Sequence, residues 1–272
     1  MVTHRVEKSR EKREHMENVI VIKIGGNAMN DLTEAFYSQL AEWRRMGKKI
    51  AIVHGGGNKI TEFSQKVHLP VRKENGIRVT DFATLEITRM VLLGYAQPQI
   101  LQQLAQHDLA AIGLHAASNH LLLGTCLDRD RYGFVGEITQ VNEPYLSSIL
   151  ENEIGVLAPL AIDESGNWLN VNGDTAAASV ASLLKAEALY LVTDVPGVLK
   201  DGKVIKQLTA KQTTTLQQQN IITAGMQPKL KAAFHALKSG VQKIVITNVL
   251  SQAGTTILKE GAQTYGYTIS NV

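Results

Sequence analysis

Apolar residues gather in short, nearly continuous blocks near the start of the chain. Val19 to Ile24 reads VIVIKI and Lys49 to Val53 reads KIAIV, and each block runs on into glycines. Such runs predict strands buried on both faces, as in a parallel sheet covered by helices. Between them, Asp31–Met46 carries Leu32, Phe36, Leu40 and Trp43 at helical spacing, with Asp31 and Glu34 placed as a capping pair. A helix after the second glycine cluster presents Ile60, Phe63 and Val67 on one face. This βαβ pattern predicts an α/β fold with right-handed crossovers.

Further along, Asn75-Gly76 between β-prone runs predicts a type I′ hairpin, with Arg78 two residues past the turn. Helical periodicity covers 81–93 and 97–107, and strands are expected at 110–114, 121–125, 134–141 and 155–162, with a helix at 143–150. From Asn167 the sequence WLNVNGDTAAASVASLL passes from alternation into an alanine-rich helix. A strand over 188–193, a turn Asp194-Val195-Pro196-Gly197, a hairpin at Asp201-Gly202, helices at 210–219 and 226–239, and strands at 243–247 and 255–258 complete the pattern. The second half repeats the α/β theme without repeating the sequence. Two lobes on one sheet are expected, 19–180 and 181–272, after a charged tail at 1–18.

Composition narrows the choices. In 272 residues, 44% are hydrophobic, enough for a sizeable core. Cys126 is the single cysteine, so no intramolecular disulfide framework is possible and a cytoplasmic setting is expected. A net charge of +3 and 5% aromatic residues give no footprint for nucleic acid, and no apolar stretch approaches a membrane span. The first 17 residues carry five basic and four acidic side chains and no signal-peptide core, which reads as a solvated tail.

Candidate chemistry starts at the glycines. Gly25, Gly26, Gly56 and Gly57 follow two predicted strands, where open α/β sheets bind ligands and where backbone N–H groups approach an anion unhindered by Cβ atoms. Each alone would serve equally as a tight turn. Lys23 interrupts an apolar strand, and in a central strand a lysine is costly unless it faces an anion. Asn170, Asn172 and Asp174 alternate along one extended segment and could share a face. The plainer reading makes Asp174 a helix N-cap. Lys229 stands near a helix start, against the macrodipole, which fits a nearby phosphate. His54 reads as structural, and no histidine spacing suggests a metal site. Gly197–Lys203 spells GVLKDGK, but Val204 replaces the hydroxyl residue of a P-loop and no helix follows; Ile60 stands where a third Rossmann glycine belongs.

Taken in order, KIGG at Lys23, HGGG at His54, NGIRVT at Asn75, LNVNGD at Leu169, TDVPGVL at Thr193 and GMQPK at Gly225 resemble the amino acid kinase family. Within it they are most similar to the kinases that act on N-acetyl-L-glutamate in arginine biosynthesis. The resemblance implies an α/β/α sandwich with a mainly parallel sheet of about eight strands. It implies ATP-dependent phosphorylation of the γ-carboxylate of N-acetyl-L-glutamate, with Lys23 and Lys229 holding the transferring phosphoryl group and Asp174 positioning both. Gly25, Gly26 and Gly56 would donate N–H bonds to phosphoryl oxygens, and Gly56 and Gly57 would border the substrate. Arg78 and Asn170 would hold its α-carboxylate end. Asp194, Val195, Pro196, Gly197, Val198 and Leu199, with Ile221, Ile222 and Thr223, would surround adenine and ribose. Magnesium would be held by the nucleotide phosphates, without a protein-only metal site.

Alternatives are a sibling kinase acting on an acetylaminoadipate-type substrate or aspartate, and a catalytically silent regulatory homologue. Gly173 stands where the family commonly has alanine, and the segment after Ile246 is shorter than in many relatives. The N-terminal tail lacks the apolar stripe of an interlacing helix, so a homodimer without arginine feedback is expected.

Overall fold

The computed structural model describes residues 18–26, 28–30, 32–74, 76–222 and 225–261. Strand β1 (Val19–Ile24) crosses through helix α1 (Glu34–Arg45) to β2 (Lys49–His54) and α2 (Gly57–Lys66). A hairpin of β3 (Lys73–Glu74) and β4 (Ile77–Arg78) precedes α3 (Phe82–Val91) and α4 (Gln97–Gln106). Next come β5 (Ala111–Leu114), β6 (Leu122–Cys126), the single turn α5 (Arg129–Tyr132) and β7 (Gly136–Val141). Helix α6 (Glu143–Leu150) leads to β8 (Ile154–Leu157), β9 (Leu160–Ile162) and β10 (Trp168–Asn170). Helix α7 (Gly173–Leu183) is followed by β11 (Ala188–Val192), β12 (Leu199–Lys200), β13 (Lys203–Val204) and β14 (Gln207–Leu208). The remaining elements are α8 (Ala210–Gln218), α9 (Gln227–Lys238), β15 (Lys243–Thr247) and β16 (Thr255–Ile257).

Eight strands form the main sheet in the order β14-β16-β15-β11-β1-β2-β8-β5, and every neighbouring pair is parallel except β15 and β16. The two apolar blocks that open the chain are therefore central neighbours, paired from Val19–Lys49 to Ile24–His54. Period-2 alternation divides their side chains between two cores. Val19, Val21, Ala51 and Val53 join α6, α7 and α9 on one face, whereas Ile20, Ile22, Ile24, Ile50 and Ile52 meet α1 and α4 on the other. Lys23 falls on the first face by the same alternation, and His54 on the second. A second sheet, β10-β9-β6-β7, packs into the first core.

Three sequence expectations change. The apolar run 155–162 is two strands in different sheets, because Pro159 cannot continue a ladder and the chain turns there, with Leu160 N–H donating to Ala158 O at 2.8 Å. The helical segments expected over 81–93 and 97–107 are not separate; a π-helical turn, Leu92–Ala96, joins them. At that turn the helix passes from one core to the other, since Val91 and Leu92 lie in the first and Ala96, Ile100 and Leu104 in the second. Helix α1 starts at Glu34, with Thr33 as a cap that makes no side-chain bond; Asp31 lies outside the described residues.

The hairpin at Asn75-Gly76 forms with Lys73 opposite Arg78, although Asn75 itself lies outside the described residues. Asp201 and Gly202 both take positive φ, 51° and 73°, as a type I′ turn requires between β12 and β13. GVLKDGK is accordingly a hairpin and not a strand–loop–helix. The lobe border expected at residue 180 falls inside α7. Among the described residues no helix is long and apolar enough to cross a membrane. The tail at 1–17 lies outside the described residues.

Candidate active site

A cleft of about 230 Å³ opens at the carboxyl ends of β1 and β2. It is lined by Lys23, Gly26, Gly56, Gly57, Arg78 and Asn170, together with the start of α7. The two glycine clusters close on each other there. A Cβ on Gly55 would stand 2.9 Å from Gly26 N, and one on Gly26 would stand 3.6 Å from Gly56 N. A side chain on Gly55 would force the two loops apart, whereas the contact at Gly26 is an ordinary one. Gly55, which went unassigned in the sequence, is thus the tightest point of the approach.

Three charged groups occupy the floor. Lys23 Nζ lies 2.8 Å from Asp174 Oδ1, and Lys229 Nζ lies 3.2 Å from Asp174 Oδ2 and 3.4 Å from Oδ1. Lys23 and Asp174 are each 6% exposed, so water does little to screen them. Burial lowers the Lys23 pKa, opposed by Asp174 and reinforced by Lys229. Burial alone would raise the Asp174 pKa, but the two ammonium groups prevail and hold it below the ordinary carboxylate value. The trio carries a net positive charge under a cleft open to solvent, which suits an anionic ligand.

Local sequence explains how Asp174 becomes available. The cap of α7 is Asn172, whose Oδ1 accepts from Asp174 N at 3.0 Å and Thr175 N at 3.2 Å. The plainer reading of Asp174 as N-cap is therefore overturned. Its carboxylate sits inside the first turn, where the macrodipole favours a negative charge, and reaches Lys229 on the first turn of α9. A cation at that helix start is compensated by a carboxylate 55 residues away.

Gly173 is the departure noted above. An added Cβ would lie 3.5 Å from Lys23 Cε and 3.9 Å from His54 O, both ordinary contacts. Gly173→Ala is expected to keep kcat within about twofold and to raise stability by up to about 1 kcal/mol through helix propensity. Thermal unfolding and initial rates check this; a tenfold rate loss would mean that the methyl displaces Lys23.

The free donors are Gly26, Gly56 and Gly57, whose N–H groups bond to no protein acceptor among the described residues. Gly25 is a correction. Its N–H donates to Val192 O at 3.2 Å and extends the ladder with β11, so it has no free donor for a phosphoryl oxygen. Nor is the absence of a side chain required by space there, since an added Cβ would stand 3.5 Å from Val192 O and 3.7 Å from Lys23 Nζ, both ordinary contacts.

On another wall, Arg78 Nη2 donates to Gly57 O at 2.9 Å and to Thr61 Oγ1 at 2.8 Å, while its buried Nη1 has no partner among the described residues. A buried guanidinium nitrogen left unpaired is costly, which suits an incoming carboxylate. Asn170 Nδ2 donates to Thr80 Oγ1 at 3.0 Å, and that hydroxyl donates to Arg78 O at 2.8 Å, so the two residues are fixed relative to each other. Thr61 and Thr80 were not singled out in the sequence; their bonds join residues 17 and 90 positions apart.

The segment Asp194–Leu199 lies outside this cleft but follows β11 at the same edge of the sheet. Gly197, at φ 154°, is irreplaceable there, because a Cβ would stand 2.6 Å from Thr255 Oγ1. Val198 and Ile222 are core residues, Val195 and Ile221 pack against the same core, and Asp194 is exposed. Thr223 lies outside the described residues. Among the described residues no group of three or more His, Cys, Asp or Glu side chains could hold a metal.

Residues 18–248 match the model of the amino acid kinase family. An acetylglutamate kinase of Lactiplantibacillus plantarum is 48% identical over 247 residues, covering 91% of this chain and 100% of that protein. A Streptococcus mutans protein of known crystal structure is similar with a TM-score of 0.83 and 36% identity, over 88% of this chain and 98% of the other. Carbamate kinase from Giardia lamblia bound to AMP-PNP shares the fold, with a TM-score of 0.62 and 17% identity over 90% of this chain and 100% of that one.

Proposed function

The chain belongs to the amino acid kinase family, and on that footing we propose that it transfers the γ-phosphoryl group of ATP to the γ-carboxylate of N-acetyl-L-glutamate, a step of arginine biosynthesis. The observation that carries the proposal is the pair of lysines bridged by Asp174 beneath a glycine-lined cleft that Arg78 also lines, its buried Nη1 without a partner among the described residues.

The chemistry asks little beyond this equipment. A carboxylate with an ordinary pKa of about 4.3 is ionised at neutral pH and attacks phosphorus without a general base. The rate then depends on alignment and on neutralising the charge spread over the phosphoryl oxygens. Lys23 and Lys229 neutralise that charge from two sides, and Asp174 keeps both in place. The free N–H groups of Gly26, Gly56 and Gly57 supply fixed donors that need no reorganisation. Arg78 and Asn170 take the α-carboxylate end of the acceptor. The nucleotide base and ribose lie along Asp194–Leu199 and Ile221–Thr223. Asp174, the one carboxylate lining the cleft among the described residues, is already shared by two ammonium groups and offers no site for a divalent ion. Magnesium therefore enters with the nucleotide, held by its phosphates. With one cysteine and no membrane-length helix among the described residues, the proposal places the enzyme in the cytoplasm, as a homodimer whose mass light scattering would report.

The test is ADP release with N-acetylglutamate, glutamate, aspartate and N-acetylaminoadipate, with hydroxylamine trapping of the acyl phosphate. N-acetylglutamate should lead in kcat/KM by at least about tenfold, the discrimination a single methylene or amide can give. Preference for another carboxylate would assign the machinery to a sibling kinase. No hydroxamate from any of the four would leave a silent homologue.

A further inference from the structure

The loop that joins β2 to α2 is Gly55-Gly56-Gly57, and three successive glycines cannot fix their own peptide planes. Each plane is nevertheless held from outside. Gly55 N–H donates to Ile24 O at 2.9 Å, Gly56 O accepts from Ile60 N at 2.9 Å, and Gly57 O accepts from Arg78 Nη2 at 2.9 Å. The remaining carbonyl, that of Gly55, lies 2.9 Å from Nδ1 of His54. A carbonyl oxygen can only accept, so Nδ1 carries the proton in this contact. The peptide is planar and trans, so the N–H of Gly56 points opposite to the Gly55 carbonyl. Anchoring that carbonyl aims that N–H, one of the three free donors at the cleft.

His54 is an expensive choice if packing alone were its purpose. It is 0% exposed, on the sheet face otherwise filled by Ile24, Ile50 and Ile52, and its Nε2 has no partner among the described residues. An aliphatic side chain would fill the same volume without an unpaired buried nitrogen. Burial also pushes its pKa down to about 4, so the ring is neutral at neutral pH and cannot act as a cation toward phosphate.

We propose that His54 is a positioning residue for phosphoryl transfer, whose Nδ1–H holds the Gly55 carbonyl so that the Gly56 N–H is aimed at the transferring group. This rests on the kinase reading above. His54→Leu removes the donor and keeps an apolar side chain of comparable bulk. His54→Asn keeps a donor, because asparagine Nδ2 stands at the same distance along the side chain as histidine Nδ1. The Leu variant should lose about 10- to 100-fold in kcat, up to the lower end of what loss of an oxyanion-hole donor costs, while KM for both substrates moves less than about threefold. The Asn variant should recover most of that loss. Equal impairment in both variants, or wild-type kcat in a folded Leu variant, would overturn the proposal. Two readouts on the wild-type protein need neither acceptor turnover nor a folded variant. Nitrogen-15 spectra should show His54 as the neutral Nδ1–H tautomer, and the Gly56 amide should shift strongly on addition of a non-hydrolysable ATP analogue with magnesium. An Nε2–H tautomer, or an unmoved Gly56 amide with the analogue bound, overturns the inference, whereas an inactive substrate panel with both signals present would count against the acceptor alone.

Discussion

Asp174→Asn is expected to lower kcat by about 100- to 1,000-fold, the scale on which loss of a preorganised electrostatic element acts. The substitution keeps size and one acceptor oxygen but removes the charge between two ammonium groups, Lys23 at 2.8 Å and Lys229 at 3.2 Å. Breaking a buried pair while leaving its partner charged costs about 3–5 kcal/mol of stability, so the variant should also unfold earlier in urea. A sharper signature lies in the pH profile. Burial and Lys229 both lower the Lys23 pKa, and only Asp174 raises it. Without Asp174 the ammonium form of Lys23 is lost at lower pH, and because that charged form is the useful one, the alkaline limb of kcat should move to lower pH. Measuring kcat from pH 6 to 10 in both proteins decides the matter. An unmoved limb with parallel losses in kcat and ATP affinity would make Asp174 a merely structural residue.

The second large effect concerns acid. His54 is pushed down to about 4 by burial, from an ordinary value of 6.5, so between these limits the unfolded chain binds a proton that the folded chain refuses. The stability that His54 leaves intact is full above about pH 6.5 and falls as pH drops toward 4, at about 1.4 kcal/mol per pH unit. The total is about 3 kcal/mol. Asp174 and Asp81, whose pKa values are lowered, act in a separate window: their contribution is present above the ordinary carboxylate value of 3.8 and is lost as pH falls through their lower folded values. Urea unfolding at pH 7, 6, 5 and 4.5 should show the decline in the native protein, and His54→Asn should flatten it. An equal decline in both would assign the acid sensitivity elsewhere.

Much of the frame was legible because it is written in local pattern. Apolar runs gave the central strands, helical spacing gave α1 and α2, and the two turn dipeptides gave their hairpins. Lys23 was legible as a charge in the wrong place. What stayed hidden depends on contacts between distant residues or on the competition between neighbours. Asn172 and Asp174 both suit a cap, and only the backbone decides that the asparagine takes it. Gly25 and Gly26 look alike in sequence, yet the first N–H is spent on Val192. Pro159 within an apolar stretch was the missed signal for a change of sheet. The π turn at Leu92–Ala96 has no signature in periodicity, since the helical pattern resumes on either side.

That extra residue in the helix has a consequence for variation at the phosphate loop. A Cβ on Gly56 would meet Leu92 Cδ2 at 2.7 Å and Ala96 Cβ at 3.9 Å, so the glycine answers to the helix wall as well as to any ligand. Positions 56 and 92 are thereby coupled through packing. A larger residue at 56 requires the tip of the Leu92 side chain to turn aside or a smaller residue at 92, so divergence at 56 should be accompanied by repacking or change at 92.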